Sequence, residues 1–182
     1  MSIESVFEVV AENLPKVGVD FLMIGGHAVN YYGYVRATMD VDFMSAASDV
    51  ANVREVMKLA GFTNISESEN VVFFSRPESS LRVDFLPVDA STMEMLLERS
   101  VVVDYAGSSL RIPCLEDLVA MKLFALKNGS PKRRLKDSED VVQLVVEYDW
   151  SVENQLKPLC LRFADKALFE ELSARIKEER NA

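Results

Sequence analysis

The chain has 182 residues, 49% of them hydrophobic, and a formal net charge of −9. That length suits one domain, or one domain with a small appendage, and the apolar share is enough for a core. The acidity argues against a general nucleic-acid coat, which needs a broad basic surface, while leaving room for a local basic patch.

The N-terminal run MSIESVFEVVAENL lacks a basic leader, so no signal peptide is expected. No apolar stretch reaches the roughly 18 residues that span a bilayer, so no membrane partner is expected and a cytoplasmic location is the reading. Cys114 and Cys160 show no CxxC spacing, and His27 is the only histidine, which argues against a structural zinc site.

In chain order, Ile3, Val6, Phe7, Val10 and Leu14 fall at helical spacing and predict a first amphipathic helix, punctuated by Pro15 and Gly18. Residues 19–24 (VDFLMI) predict a buried strand, Gly25-Gly26 breaks it, and 27–33 suit a short helix. A second strand is expected over 39–44 (MDVDFM) and a helix over 50–60, stopped by Gly61. VVFFSR (71–76) and LRVDFLPV (81–88) predict a hairpin, 91–99 a helix, and VVVDY with SLRIP a second hairpin around Ala106-Gly107-Ser108. Beyond Pro113 the pattern is helical, over 115–127, 137–148, a weaker piece near 152–161, and 165–179.

Asp40-Val41-Asp42 is the first pattern that suggests chemistry. In a strand, residues i and i+2 share a face, so Asp40 and Asp42 are expected together, with Met39, Val41 and Phe43 turned to the core. Asp84 sits in another apparent strand between apolar Val83 and Phe85. If those strands are neighbours, the three carboxylates converge. Two carboxylates roughly 4 Å apart repel by about 4 kcal/mol at an effective dielectric near 20. Such a cluster needs a cation, and oxygen-only ligands favour Mg²⁺ or Mn²⁺. The bland alternative is ordinary alternation in a half-exposed strand. Gly25-Gly26, between a buried strand and a helix, would let backbone approach a phosphate, or would be a plain tight turn.

Lys122 falls on the apolar face of its predicted helix, among Leu115, Leu118, Val119, Ala125 and Leu126. A buried ammonium must meet an anion, whether a protein carboxylate or a bound phosphate, or else snorkel to water. The run Lys132-Arg133-Arg134-Leu135-Lys136, near Lys127, is the densest positive patch. It reads as a holder of phosphate or as a solvated loop. Asp137 is expected to cap the following helix and Asp140 to favour its first turn.

Together these segments resemble a known family. FLMIGGHAVNYYGYVRATMDVDF is similar to the signature of the polymerase-beta-like nucleotidyltransferases: apolar strand, GG, short helix, then Gly33, Arg36, Thr38 and the DxD. LRVDFL resembles the strand of the third carboxylate. LEDLVAMKLFALKNGSPKRRLKDSEDVVQL resembles the C-terminal block of bacterial members, which include abortive-infection toxins and small aminoglycoside-type enzymes.

The resemblance implies an α+β fold: a nucleotidyltransferase-type mixed β-sheet flanked by helices, with a C-terminal helical subdomain. Residues 1–112 would be the core, and 113–182 a subdomain closing the active-site cleft. It implies transfer of a nucleoside monophosphate from an NTP such as ATP to an acceptor, with release of pyrophosphate. Asp40, Asp42 and Asp84 would be catalytic and would ligate Mg²⁺ or Mn²⁺, with Asp84 also the general base. Gly25, Gly26, His27, Arg36, Thr38, Lys122, Lys136 and Asp137 would line the nucleotide site. His27 departs from the small hydroxyl residue common after GG, but a neutral imidazole still donates one hydrogen bond.

A catalytically weak nucleotide-binding or interaction module on the same fold is the alternative, as is a metal-free structural domain; the retained acidic trio favours turnover. The acceptor (small molecule, RNA or protein) stays open. So do a homodimer and a toxin role with an antitoxin partner.

Overall fold

The computed structural model describes residues 3–77 and 79–181. Helix α1 (Ile3–Asn13) buries Val6, Phe7 and Val10 along one face. Strand β1 (Phe21–Ile24) is buried throughout and runs directly into α2 (Gly25–Tyr31). Strand β2 (Val41–Ala46) is also buried along its length. Helix α3 (Val50–Leu59) buries Val53, Val56 and Met57. Strands β3 (Asn64–Ser68), β4 (Val71–Ser75) and β5 (Arg82–Val88) follow. Helix α4 (Ala90–Glu98) is capped by the Asp89 carboxylate, which accepts from Thr92 N–H.

Among the described residues these strands form a mixed sheet in the order β1-β2-β5-β4-β3. The β2–β5 pair is parallel; the other neighbours are antiparallel. One face carries the core. Phe43 stacks on Phe85 with centroids 5.2 Å apart, Phe74 meets Phe85 edge-on at 5.8 Å, and Phe7 meets Phe43 edge-on at 6.4 Å. Strands β6 (Val101–Tyr105) and β7 (Ser108–Ile112) form a separate hairpin.

The remainder is helical: α5 (Leu115–Asn128), α6 (Pro131–Glu147), a π-helical turn Val152–Leu156, α7 (Lys157–Phe163) and α8 (Lys166–Arg180). Contacts divide the chain into two units. One holds residues up to Ala28 together with Arg36–Cys114; the other holds Val29–Val35 together with the chain from Leu115 onward. In the second unit, Leu118, Val119, Leu123, Val141, Leu144, Val145, Leu168, Leu172 and Ile176 are buried.

The fold is the expected α+β class, with local departures. Strand β2 begins at Val41, so Met39 lies outside it and is 68% exposed instead of facing the core. Helix α6 begins at Pro131, six residues before the expected 137: the Ser130 hydroxyl accepts from Lys132 N–H, and Pro131 occupies the first turn. Asp137 is therefore no cap, and Asp140 is not in a first turn; both lie inside the helix and are buried. Strand β3 went unpredicted because NISES, an exposed edge strand, carries no apolar alternation.

Candidate active site

Register brings two acids of the sheet unit together. Asp42 on β2 pairs directly with Asp84 on β5. Cross-strand partners share a face, so one row crosses the sheet: Ile24, Asp42, Asp84, Phe73, Ser66. Asp42 and Asp84 are both buried, and Asp40 immediately precedes β2 and is half-buried.

Asp40 and Asp84 are joined through Arg82, which the sequence reading did not single out. Its guanidinium donates to Asp84 Oδ1 at 2.8 Å and Oδ2 at 2.9 Å, and to Asp40 Oδ2 at 3.0 Å. The signal was present in LRVDFL: Arg82 and Asp84 stand at i and i+2 on one strand face. Burial lowers the arginine's proton affinity, but its hydrogen bond to Asp84 and the charges of Asp84, Asp40 and Asp42 outweigh that and raise its pKa. Burial pushes Asp84 up to about 6; the Arg82 hydrogen bond and charge oppose the shift, and the charges of Asp42 and Asp40 add to it. Among the described residues, no group of three or more His, Cys, Asp or Glu side chains is arranged as it stands to hold a metal ion. The cation that Asp40 and Asp84 share is Arg82.

The glycine pair seats the turn against these acids. Gly25 has φ +65°, and a Cβ there would lie 2.1 Å from Asp42 Oδ2. Only glycine combines that backbone with that approach. A Cβ on Gly26 would lie 2.6 Å from Thr38 Oγ1 and 3.1 Å from Arg36 Nη1. Gly25, Gly26, Arg36, Thr38 and Asp42 are thus gathered at the start of α2.

His27, next along α2, is 6% exposed. Its Nδ1 is hydrogen-bonded to the Tyr105 hydroxyl at 2.9 Å, and Phe7 packs edge-on against the ring at 5.1 Å. Among the described residues, Nε2 is buried without a partner. Burial, reinforced by the Arg36 charge, lowers the imidazole pKa to about 4, so the ring is neutral at physiological pH.

Lys122 and Asp137 belong to the helical unit. Lys122 Nζ lies 2.7 Å from Asp137 Oδ1 and 2.8 Å from Asp140 Oδ2. The anion demanded by the lysine's apolar helix face is thus met by protein carboxylates, which also replaces the expected capping roles of both aspartates. Lys136 is exposed on the same helix, α6. The basic run 132–136 forms the first turns of α6 and is no loop; Arg134 is paired with Glu171 at 2.5 Å.

Several solved structures share this fold. The solution structure of the antibiotic-resistance factor ANT(2'')-Ia matches with a TM-score of 0.65 at 11% identity, covering 98% of this chain and 96% of that one. An antigenic nucleotidyltransferase-like protein from Paracoccidioides brasiliensis matches at 0.58 and 16% identity, covering 96% and 91%. The lincosamide antibiotic adenylyltransferase LnuA, lincomycin-bound, matches at 0.56 and 13% identity, covering 79% and 98%. No curated protein sequence is significantly similar. Residues 3–156 match the family described as nucleotidyl transferase of unknown function (DUF2204), and since that is most of the chain, this protein belongs to that nucleotidyltransferase family.

Proposed function

We propose that the chain transfers a nucleoside monophosphate from an NTP to an acceptor hydroxyl, releasing pyrophosphate, and that it depends on Mg²⁺ or Mn²⁺ held by Asp40, Asp42 and Asp84. The observation that carries this is the register pairing Asp42 with Asp84 beside the Gly25 turn. The donor set fits a hard divalent ion: it is all oxygen, with two of the carboxylates buried side by side. Arg82 is partly exposed and already neutralises Asp40 and Asp84, so ion loading exchanges one cation for another without leaving bare charge. When bound, the ion supplies the positive charge that an in-line phosphoryl displacement requires.

The protein groups supply the rest. The tight Gly25-Gly26 turn lets the triphosphate approach backbone N–H donors, with Arg36 and Thr38 alongside. His27, kept neutral by burial, is held behind this turn by its Nδ1 contact with the Tyr105 hydroxyl. Asp84 takes the acceptor proton. The acceptor oxygen bonds to the α-phosphorus as the α–β bridging P–O bond breaks, and pyrophosphate leaves with the electron pair. Burial raises the ion-free Asp84 to about 6, and a bound cation would lower it again.

Nucleotide binding without transfer is the second reading, favoured by the internal cation Arg82 at the acids. One experiment separates them: incubation with each α-labelled NTP, Mg²⁺ or Mn²⁺, and pools of RNA, protein and small metabolites, for wild type and Asp42→Asn. Transfer by wild type, lost in Asp42→Asn, is expected. Transfer that survives the substitution sinks the mechanism, and saturable NTP binding without transfer to any pool selects the second reading.

A further inference from the structure

The first large side chain after the Gly25-Gly26 turn, His27, is buried among rings from distant parts of the sheet unit. Phe7 of α1, His27 of α2 and Tyr105 of β6 meet pairwise and edge-on. Ring centroids are 5.1 Å apart for Phe7 and His27, 5.3 Å for Phe7 and Tyr105, and 5.7 Å for His27 and Tyr105. Inside this cluster the Tyr105 hydroxyl meets His27 Nδ1 at 2.9 Å. Rings in mutual edge contact resist sliding, and the hydrogen bond fixes the rotation and tautomer of the imidazole.

Tyr105 is itself placed by a tight turn. It ends β6 and pairs with Ser108, and the two residues between them, Ala106 and Gly107, have φ 51° and 77°. Alanine adopts that backbone less readily than glycine or asparagine, so the turn is held against a local cost. Helix α2 has only seven residues, too few to hold its own geometry in water, so its start stands where its anchors put it. That start is in closest packing with the acids, since a Cβ on Gly25 would overlap Asp42 Oδ2. Any displacement of the turn is therefore felt at Asp42.

We propose that Tyr105 is a positioning residue of the nucleotide site: its hydroxyl, acting through His27, sets where the Gly25-Gly26 turn stands against Asp42. The consequence for the nucleotide rests on the nucleotidyl-transfer reading. Without the hydroxyl, the ring contacts remain but the imidazole can rotate, and the turn loosens against the carboxylate.

Tyr105→Phe isolates the hydroxyl, because it keeps the ring. Two measurements on the full chain read its effect. In NMR without ligand, the Gly25 and Gly26 amide signals should shift in Tyr105→Phe, while that of Gly61, after α3, stays. The imidazole nitrogens of His27, the only histidine in the chain, should pass from one held tautomer to exchange between two. Asp104→Asn, an exposed neighbour on the same strand, should change neither. Unmoved Gly25 and Gly26 signals in Tyr105→Phe overturn the proposal.

The second measurement is calorimetry with ATP, GTP, CTP and UTP, each with Mg²⁺, well below the melting temperature. Tyr105→Phe should raise the NTP Kd by about fivefold or more in wild type and by less than about twofold in a His27→Leu background. A residue that acts through the imidazole has nothing to act on once it is gone. A merely structural hydroxyl lowers the melting temperature and leaves the Kd unchanged. That result, or an equal Kd effect in both backgrounds, overturns the proposal. Glycine signals that move in a protein whose wild type binds none of the four NTPs sink the nucleotide reading and leave Tyr105 as the residue that positions the turn.

Discussion

Each unit of this chain sets aspartates around one basic side chain, with different consequences. In the helical unit, Lys122 bridges Asp137 and Asp140; the side chains are 11%, 9% and 0% exposed. In the sheet unit, Arg82 bridges Asp40 and Asp84, and its own side chain is 44% exposed. A cation sealed among its partners is committed to them, because leaving strands buried charge at several kcal/mol. A cation with one side in solvent can be displaced. The first arrangement holds two helices, α5 and α6, together; the second leaves Arg82 displaceable, as the proposed ion loading requires.

The largest expected effect falls on the sealed triad. Asp140→Ala should lower unfolding free energy by about 3–5 kcal/mol, read from urea titration, because it removes the fully enclosed partner of a buried ammonium. Asp42→Asn should cost far less stability, since it relieves a repulsion. A loss at Asp42 as large as that at Asp140 would erase the distinction between the two clusters.

Next comes Gly25→Ala. A Cβ 2.1 Å from Asp42 Oδ2 on a positive-φ backbone forces the turn or the carboxylate to move. Expected are a loss of about 1–3 kcal/mol in stability and a drop in NTP affinity measured by calorimetry. Gly107→Ala, also at positive φ but with open space around it, provides the comparison for backbone strain alone.

Proton linkage separates two groups within the sheet unit. His27 is lowered from 6.5 to about 4, so the unfolded chain binds more protons between those values and stability falls as pH drops through that window. The size is about 2 kcal/mol after allowance for solvent screening. Asp84 is raised from 3.8 to about 6, so the folded chain binds more protons between those values and stability rises as pH drops through its window. The two oppose each other between about 4 and 6. His27→Gln should therefore flatten the acid-side loss in a pH series of urea midpoints, and Asp84→Asn should steepen it. A bound Mg²⁺ favours the carboxylate, so added Mg²⁺ should move the Asp84 window to lower pH.

The smallest effect tests exchange directly. Arg82→Ala removes the resident counterion, so Mg²⁺ should raise the melting temperature more in the variant than in wild type, by about 1 kcal/mol of added stabilisation. An equal Mg²⁺ response in both proteins would mean that ion and arginine do not compete.

Much of this was legible along the chain, and the gaps have physical causes. Apolar runs flanking a polar turn marked β4 and β5, and helical spacing marked α1, α3 and α5. β3 was missed because both its faces are largely exposed. The start of α6 lies six residues before the expected one because the basic run 132–136 carries no apolar periodicity, although Ser130-Pro131 is a helix-start signal. Arg82 was overlooked although it stands two residues from Asp84 on the same strand face.

The sequence by itself determined that Asp42 and Asp84 stand in strands, where glycine was required, and that Lys122 on an apolar helix face had to meet an anion. Those follow from local periodicity and the cost of burying charge. Only the tertiary structure decided that β2 and β5 are parallel neighbours in a register that sets Asp42 against Asp84. It alone decided that Arg82 joins Asp40 to Asp84, and that the anions meeting Lys122 are Asp137 and Asp140. Pairing across strands and helices depends on how the whole core packs, and no local pattern carries that information.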